Sequence, residues 1–250
     1  MPRGQKLPQV ELNKFLTPDK IEIGVDEAGR GPLFGRVYSG AVILPKDDSF
    51  QHNLMKDSKR FHSEKKLEAA YQYIIENALG YGVGFMDESV IDKINIRQAT
   101  FRAMNMAITN CLLSFENKTS DTKQSVQNSH WVADLSNNVI EKKYLLMVDG
   151  NDFKPFTYFN KTKNEIEYIP FETIEGGDNK YTSIAAASII AKYERDQYIY
   201  SLTKENPTLD EFYGISNNKG YGAKRHLDGI KEHGISKWHR RTYGICAQYK

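Results

Sequence analysis

The chain is 250 residues long, with 34 Lys and Arg against 32 Asp and Glu and a formal net charge of +2. That length suits one sizeable domain able to bury a substantial core, and the near balance of charge names no partner by itself. The N-terminus is polar, no apolar run approaches the ~18 residues of a membrane span, and Cys111 and Cys246 stand far apart in no metal-binding spacing. These features argue against secretion and membrane insertion and predict a cytoplasmic protein with reduced thiols.

The first predicted strand, about 20–26, alternates apolar and polar residues and runs into Asp26, Glu27 and the loop Gly29-Arg30-Gly31. Successive side chains of a strand face opposite sides. Two neighbouring carboxylates therefore share a site only where the strand ends and the backbone turns, a turn that Gly29 is free to make. The glycines also leave amides bare enough to approach a phosphate backbone. This layout points to metal-dependent phosphate chemistry, against the plainer alternative of a strand ending in a solvated acidic turn.

A second strand is predicted at 36–44. Ser63 stands where it can cap a helix with Leu67, Tyr71, Ile74, Ile75 and Ala78 on one face and Gly80 closing it. A strand at 81–87 follows, and then a helix over about 96–115 with Phe101, Met104, Ile108, Cys111 and Leu112 on a core-facing stripe. Residues 116–142 are polar and aperiodic and read as a surface insert.

Strand 144–148 ends at Asp149-Gly150, which taken alone is a common turn. The irregular stretch to Lys180 holds Ile166, Tyr168 and Ile169, read as a short hairpin arm, and Asp178, taken alone a helix-capping group. An alanine-rich helix spans about 182–201, and 209–243 reads as short helices and loops. From Asn217 onward eight Lys or Arg face two acids. That excess of positive charge suits nucleic-acid phosphates, the alternative being a solvated helix face.

The stretch 24–44, with Asp26-Glu27-Ala28-Gly29-Arg30-Gly31 followed by Pro32-Leu33-Phe34-Gly35 and a strand-like run, closely resembles the signature of ribonuclease HII. Further matches in the same order are Asp57-Ser58-Lys59, Ile94-Asn95-Ile96, Asp149, Asp178, the run 183–192, Lys219-Gly220-Tyr221-Gly222 and His239-Arg240-Arg241. The resemblance spans nearly the whole chain. It implies an α/β ribonuclease H-like fold with a mixed central sheet flanked by helices. The catalytic domain would cover 1–205, with a basic helical portion over 206–250 packed on it.

It also implies an endoribonuclease acting on RNA–DNA hybrids and on ribonucleotides embedded in duplex DNA. Asp26, Glu27, Asp149 and Asp178 would hold two Mg²⁺ or Mn²⁺ ions. Such hard ions prefer oxygen ligands, and a pair of them suits phosphodiester hydrolysis. By the same resemblance, Gly29, Arg30 and Gly31 contact the ribose 2′-hydroxyl, the group that separates RNA from DNA. Tyr221 packs on the following deoxyribose, and Ser58, Lys59, Lys192, Arg240 and Arg241 meet phosphates. His226 and His239 follow the family pattern as supporting or phosphate-side groups.

Departures from the pattern carry expectations of their own. Phe34 and Arg36 stand where the family has a small residue and proline, which loosens the expected stiffness of the substrate loop and offers Arg36 a phosphate contact. The stretches at 116–142 and 152–177 are longer than in compact bacterial enzymes. The chain ends soon after Arg241, leaving no tail for a sliding-clamp peptide, and a monomer is expected. Three rivals rank lower. Ribonuclease HIII lacks arginine in the Gly-x-Gly loop and adds an N-terminal domain. A dinucleotide-binding enzyme needs its glycines to open a helix. A non-catalytic nucleic-acid-binding module leaves four acids without a role.

Overall fold

The computed structural model describes residues 11–61, 63–119, 143–160 and 162–249. Its centre is a five-stranded sheet in the order β3-β2-β1-β4-β7, with β1 (Ile21–Ala28), β2 (Val37–Ile43), β3 (Gly80–Met86), β4 (Tyr144–Asp149) and β7 (Phe171–Ile174). Strand β1 pairs antiparallel with β2 and parallel with β4; β2–β3 is antiparallel and β4–β7 parallel. A short loop joins β1 to β2, as antiparallel neighbours allow, whereas parallel β1 and β4 need the long helical crossover between them. The loop after Gly29 thus leads into another strand and opens no helix, which removes the dinucleotide-binding alternative.

Alternation along β1 divides the two faces of the sheet. Ile23 and Val25 join Leu146, Val148, Met104, Ile108, Cys111 and Leu112 in one core, under helix α3 (Ile96–Thr119). On the opposite face lies helix α4 (Thr182–Glu205), whose Ala185, Ala186, Ala187 and Ile190 pack with Val42, Leu44 and helix α1 (Glu64–Asn77). Helix α4 comes unusually close to the sheet because Gly24 and Gly40 lie beneath it. A Cβ at Gly24 would fall 2.2 Å from the Ser183 carbonyl carbon, and one at Gly40 2.4 Å from the Ala187 oxygen. Asp26 is paired with Gly40 in the register, and it shares this α4 face.

Several sequence expectations need correction. Ser63 occupies the N-cap of α1 but its side chain makes no capping bond, and Ala78, not Gly80, ends that helix, since Gly80 opens β3. Helices α3 and α4 run on to Thr119 and Glu205, and the added turn of α4 still buries Leu202. Helix α2 (Glu88–Ile94), capped by the Asp87 side chain, falls where the sequence pattern predicts no element. Strand β7 also escaped, since Phe171-Glu172-Thr173-Ile174 is short and carries no strong alternation. The hairpin arm is β5 (Thr157–Asn160) with β6 (Glu165–Tyr168); Ile169 lies outside it and is buried in the core. Residues 120–142 of the surface insert lie outside the described residues.

The C-terminal portion comprises α5 (Thr208–Tyr213), α6 (Ile215–Asn218) and α7 (Lys224–His233). Its apolar residues Leu209, Tyr213, Ile215, Ile230 and Cys246 close over Phe34 of the β1–β2 loop and Ile199 of α4. Among the described residues no helix is long and apolar enough to cross a membrane.

Candidate active site

Strands β1 and β4 run side by side in the same direction, with Val25 opposite Val148. Asp26 and Asp149 each follow by one residue, so both leave the sheet on the α4 face. Asp26 is almost fully buried, and its Oδ1 accepts a 2.7 Å bond from the Glu27 amide. Burial, then the charges of Glu27 and Asp149, push its pKa well above the usual carboxylate range, against the opposing Ser188 hydroxyl and Glu27 amide. Burial also raises Glu27, while Arg30, 3.2 Å away, pulls it back. Asp178 sits in the turn just before α4. Burial raises it too, with Asp57 and Asp149 adding to the shift. The Asp149 Oδ1 accepts a 2.7 Å bond from the Gly177 amide, tying that turn to the end of β4. The acids thus form one mutually repelling group.

A cleft of about 200 Å³ opens beside them. Asp26, Glu27, Gly29, Ser58, Lys59, Asp149, Lys192 and Tyr221, all singled out from sequence, line it. Asp178 is not among the lining residues, though its carboxyl feels the charges of Asp149 and Lys59. Burial works to lower the pKa of Lys59, but Asp57, Asp178, Asp26 and Asp149 outweigh it and hold the ammonium above its ordinary value. Lys192 pairs with Asp196 at 2.9 Å. Ser58 is buried and its hydroxyl lies 3.0 Å from that of Ser188, so it supports the Asp26 wall more than it faces solvent. Tyr221 is 51% exposed, and its ring edge lies 3.6 Å from where a Cβ on Gly31 would be.

The expected phosphate contact of Arg240 is overturned. Its side chain is fully buried beneath the β1–β2 loop. The guanidinium donates to the carbonyls of Gly35 (2.9 Å), Arg30 (2.9 Å), Pro32 (2.8 Å) and Gly29 (2.6 Å). A planar fork of five donors suits such a ring of carbonyls. It also gives the loop the stiffness that Phe34 and Arg36 put in question. Arg36 makes no use of a phosphate position either: its guanidinium is sandwiched between Phe85 and Tyr198, 4.3 and 4.4 Å from the ring centroids. Arg241 is exposed, and its amide bonds Asp92 at 2.8 Å. His226 and His239 are buried against each other, away from any phosphate path.

Cleft residues given no role from sequence are Ser188, Arg195 and Asp196 on α4, together with Ala28 and Lys219. The signal was present, since Ser188, Lys192 and Arg195 recur at i, i+4 and i+7 and so share one stripe of the helix. Arg195 is 3% exposed, donates to the Lys219 carbonyl at 2.7 Å and lies under Gly29. Gly29 adopts φ +91°, and a Cβ there would meet Arg195 Nε at 2.3 Å, so both backbone and space require glycine.

The donor set suits a hard divalent cation, since the ionisable groups on this wall that can ligate are carboxylates, with no sulfur or imidazole among them. As the side chains stand, no three described His, Cys, Asp or Glu residues close into a ligand cage. Glu27 leans to Arg30 and Asp149 to the Gly177 amide.

Comparison with known proteins agrees with this picture. The family model for ribonuclease HII matches residues 23–143 and 113–246. The ribonuclease HII of Bacteroides thetaiotaomicron is 39% identical over 234 residues, covering 94% of each chain. Among solved structures, ribonuclease H2 from Pyrococcus horikoshii superposes with a TM-score of 0.57 at 22% identity, over 91% of this chain and 96% of that one. Bst-RNase HIII in complex with Mn²⁺ gives a TM-score of 0.51 at 13% identity, over 86% of this chain and 70% of that one. With a relative this similar along nearly its full length, a ribonuclease H fold, and acids gathered at the ends of β1 and β4, the chain belongs to the ribonuclease HII family of endonucleases.

Proposed function

We propose that this protein cuts the RNA strand of RNA–DNA hybrids and nicks duplex DNA on the 5′ side of an embedded ribonucleotide, leaving 3′-hydroxyl and 5′-phosphate ends. The observation that carries this reading is the charge-coupled group Asp26, Glu27 and Asp149 in a cleft shared with Lys59, Lys192 and Tyr221. Its cellular role is ribonucleotide removal and primer processing in replication and repair, performed as a cytoplasmic monomer.

Asp26, Glu27, Asp149 and Asp178 would hold Mg²⁺ or Mn²⁺, and the Mn²⁺ complex of Bst-RNase HIII supports that choice. When bound, a pair of such ions supplies an activated water and offsets negative charge developing on the phosphorus. The protein's own groups do the rest. Lys59 stays protonated and presents a positive charge to a phosphate, and Lys192 and Arg241 extend that role. The Gly29-Arg30-Gly31 loop reads the 2′-hydroxyl. Beside it, the exposed Tyr221 ring packs on the next sugar, where an added hydroxyl is unwelcome.

The test is incubation with a DNA duplex holding one ribonucleotide, with and without Mg²⁺, the cut being mapped on a gel. A Mg²⁺-dependent nick 5′ of the ribonucleotide is expected. No cut, or cutting indifferent to the ribose, overturns the reading.

A further inference from the structure

The segment 236–240 carries a chain of hydrogen bonds that neither the acids nor the phosphate contacts use. The Ser236 amide donates to His239 Nδ1 at 2.9 Å, His239 Nε2 lies 3.0 Å from His226 Nε2, and His226 Nδ1 lies 2.9 Å from the Tyr221 carbonyl oxygen. The two ends fix the protons. An amide only donates, so His239 Nδ1 accepts and its Nε2 carries the hydrogen; a carbonyl only accepts, so His226 Nδ1 carries the hydrogen and its Nε2 accepts. Both imidazoles are therefore neutral, and the single direction of donation closes without conflict. Burial agrees, lowering His226 and pushing His239 down to about 3.

The same five-residue segment grips the other recognition loop. Next to His239, Arg240 holds the carbonyls of Gly29, Arg30, Pro32 and Gly35. Backbone bonds tie the pieces together: Leu33 amide to Gly220 carbonyl at 2.9 Å, Gly35 amide to Trp238 carbonyl at 2.8 Å, and Arg240 amide to Leu33 carbonyl at 2.8 Å. Phe34 lies edge-on to His239 at 5.1 Å and to His226 at 6.5 Å between centroids. One buried unit thus touches the backbone of both the Gly29-Arg30-Gly31 loop and Tyr221.

Resting on the functional reading above, we infer that His226 and His239, with Arg240 beside them, are positioning residues. They clamp Tyr221 at a fixed spacing from the Gly29-Arg30-Gly31 loop, and so set the selectivity for an RNA–DNA junction from the C-terminal segment. A rigid ring that donates on one side and accepts on the other is what such a two-ended link requires. Side chains that fill the volume alone leave the Tyr221 carbonyl without this donor.

The experiment compares cleavage of a duplex with one ribonucleotide to cleavage of a continuous RNA–DNA hybrid, both measured on one preparation. Their ratio is independent of how much of that preparation is folded. His226→Phe is expected to lower the ratio about tenfold, the worth of one buried hydrogen bond. His226→Asn, whose amide nitrogen stands where Nδ1 was, is expected to restore it to within about threefold. In a Tyr221→Ala background His226→Phe should change the ratio no further, since coupled residues are not additive. A ratio that survives His226→Phe, or falls as much in the Tyr221→Ala background, overturns the clamp. If the wild type leaves the embedded ribonucleotide uncut, the functional reading itself fails, a result distinct from either.

Discussion

Asp26 shows how one residue can oppose stability at the place where the proposed chemistry needs it. Its folded pKa lies above the unfolded value, so its contribution to stability is present below the unfolded pKa and is lost as pH rises through the folded one. Above the unfolded value Asp26 therefore costs the fold stability. Asp26→Asn is expected to raise Tm in chelator-treated buffer while lowering kcat at least about a hundredfold. A fall in Tm with activity retained would contradict both halves. Mg²⁺ or Mn²⁺ should raise the Tm of the wild type more than that of Asp26→Asn, because a ligand stabilises the state that binds it; thermal melts across a metal titration decide this. Arg240 is the opposite case, a buried cation whose burial lowers its pKa to about 10 and whose partners are carbonyl dipoles. Lysine cannot reproduce the fork. Arg240→Lys is expected to cost about 2–3 kcal/mol in urea unfolding, since several buried carbonyls lose their donor. Loss of hybrid affinity at unchanged stability would restore the phosphate role.

Among the elements, α4 does most to assemble the cleft. It carries Ser188 beside Asp26, Lys192 at the wall and Arg195 under Gly29, and its closeness to the sheet depends on Gly24 and Gly40. Gly40→Ala places a methyl against the Ala187 carbonyl, and the helix must shift. Overpacking of this kind costs about 1–3 kcal/mol. The expected result is a lower urea midpoint together with lower activity, since the displaced helix carries cleft residues with it. Unchanged activity at reduced stability would show that the cleft tolerates the movement.

At the scale of the whole molecule, the C-terminal helices are joined to the sheet through Phe34, Arg240 and the two buried histidines. Because the folded pKa of His239 is depressed to about 3 against an ordinary 6.5, its neutral form is favoured by the fold. That stability is fully present above about pH 6.5 and is lost as pH falls towards 3. Urea unfolding of wild type and His239→Phe over this range provides the measurement. The wild type's advantage should be largest above pH 6.5 and shrink steadily below it; a constant or growing difference would contradict a neutral buried pair. Taking the difference between the two proteins cancels the opposing trend of Asp26.

Much of this was legible from local pattern. Alternation gave away β1, largely apolar runs gave away β2 and β4, helical spacing gave away α1 and α3, and the acids at strand ends marked the wall of the cleft. Those features depend on residues close in sequence, where periodicity and turn chemistry act directly. What stayed hidden depends on partners far apart. Arg240 and Arg30 differ by some two hundred positions, and nothing local distinguishes an arginine bound for phosphate from one bound for a ring of carbonyls. The same holds for the direction of the histidine chain, which is decided by a backbone amide at one end and a backbone carbonyl at the other. A side chain's charge is written in the sequence, but whether that charge meets solvent or is enclosed is decided only when distant segments pack around it.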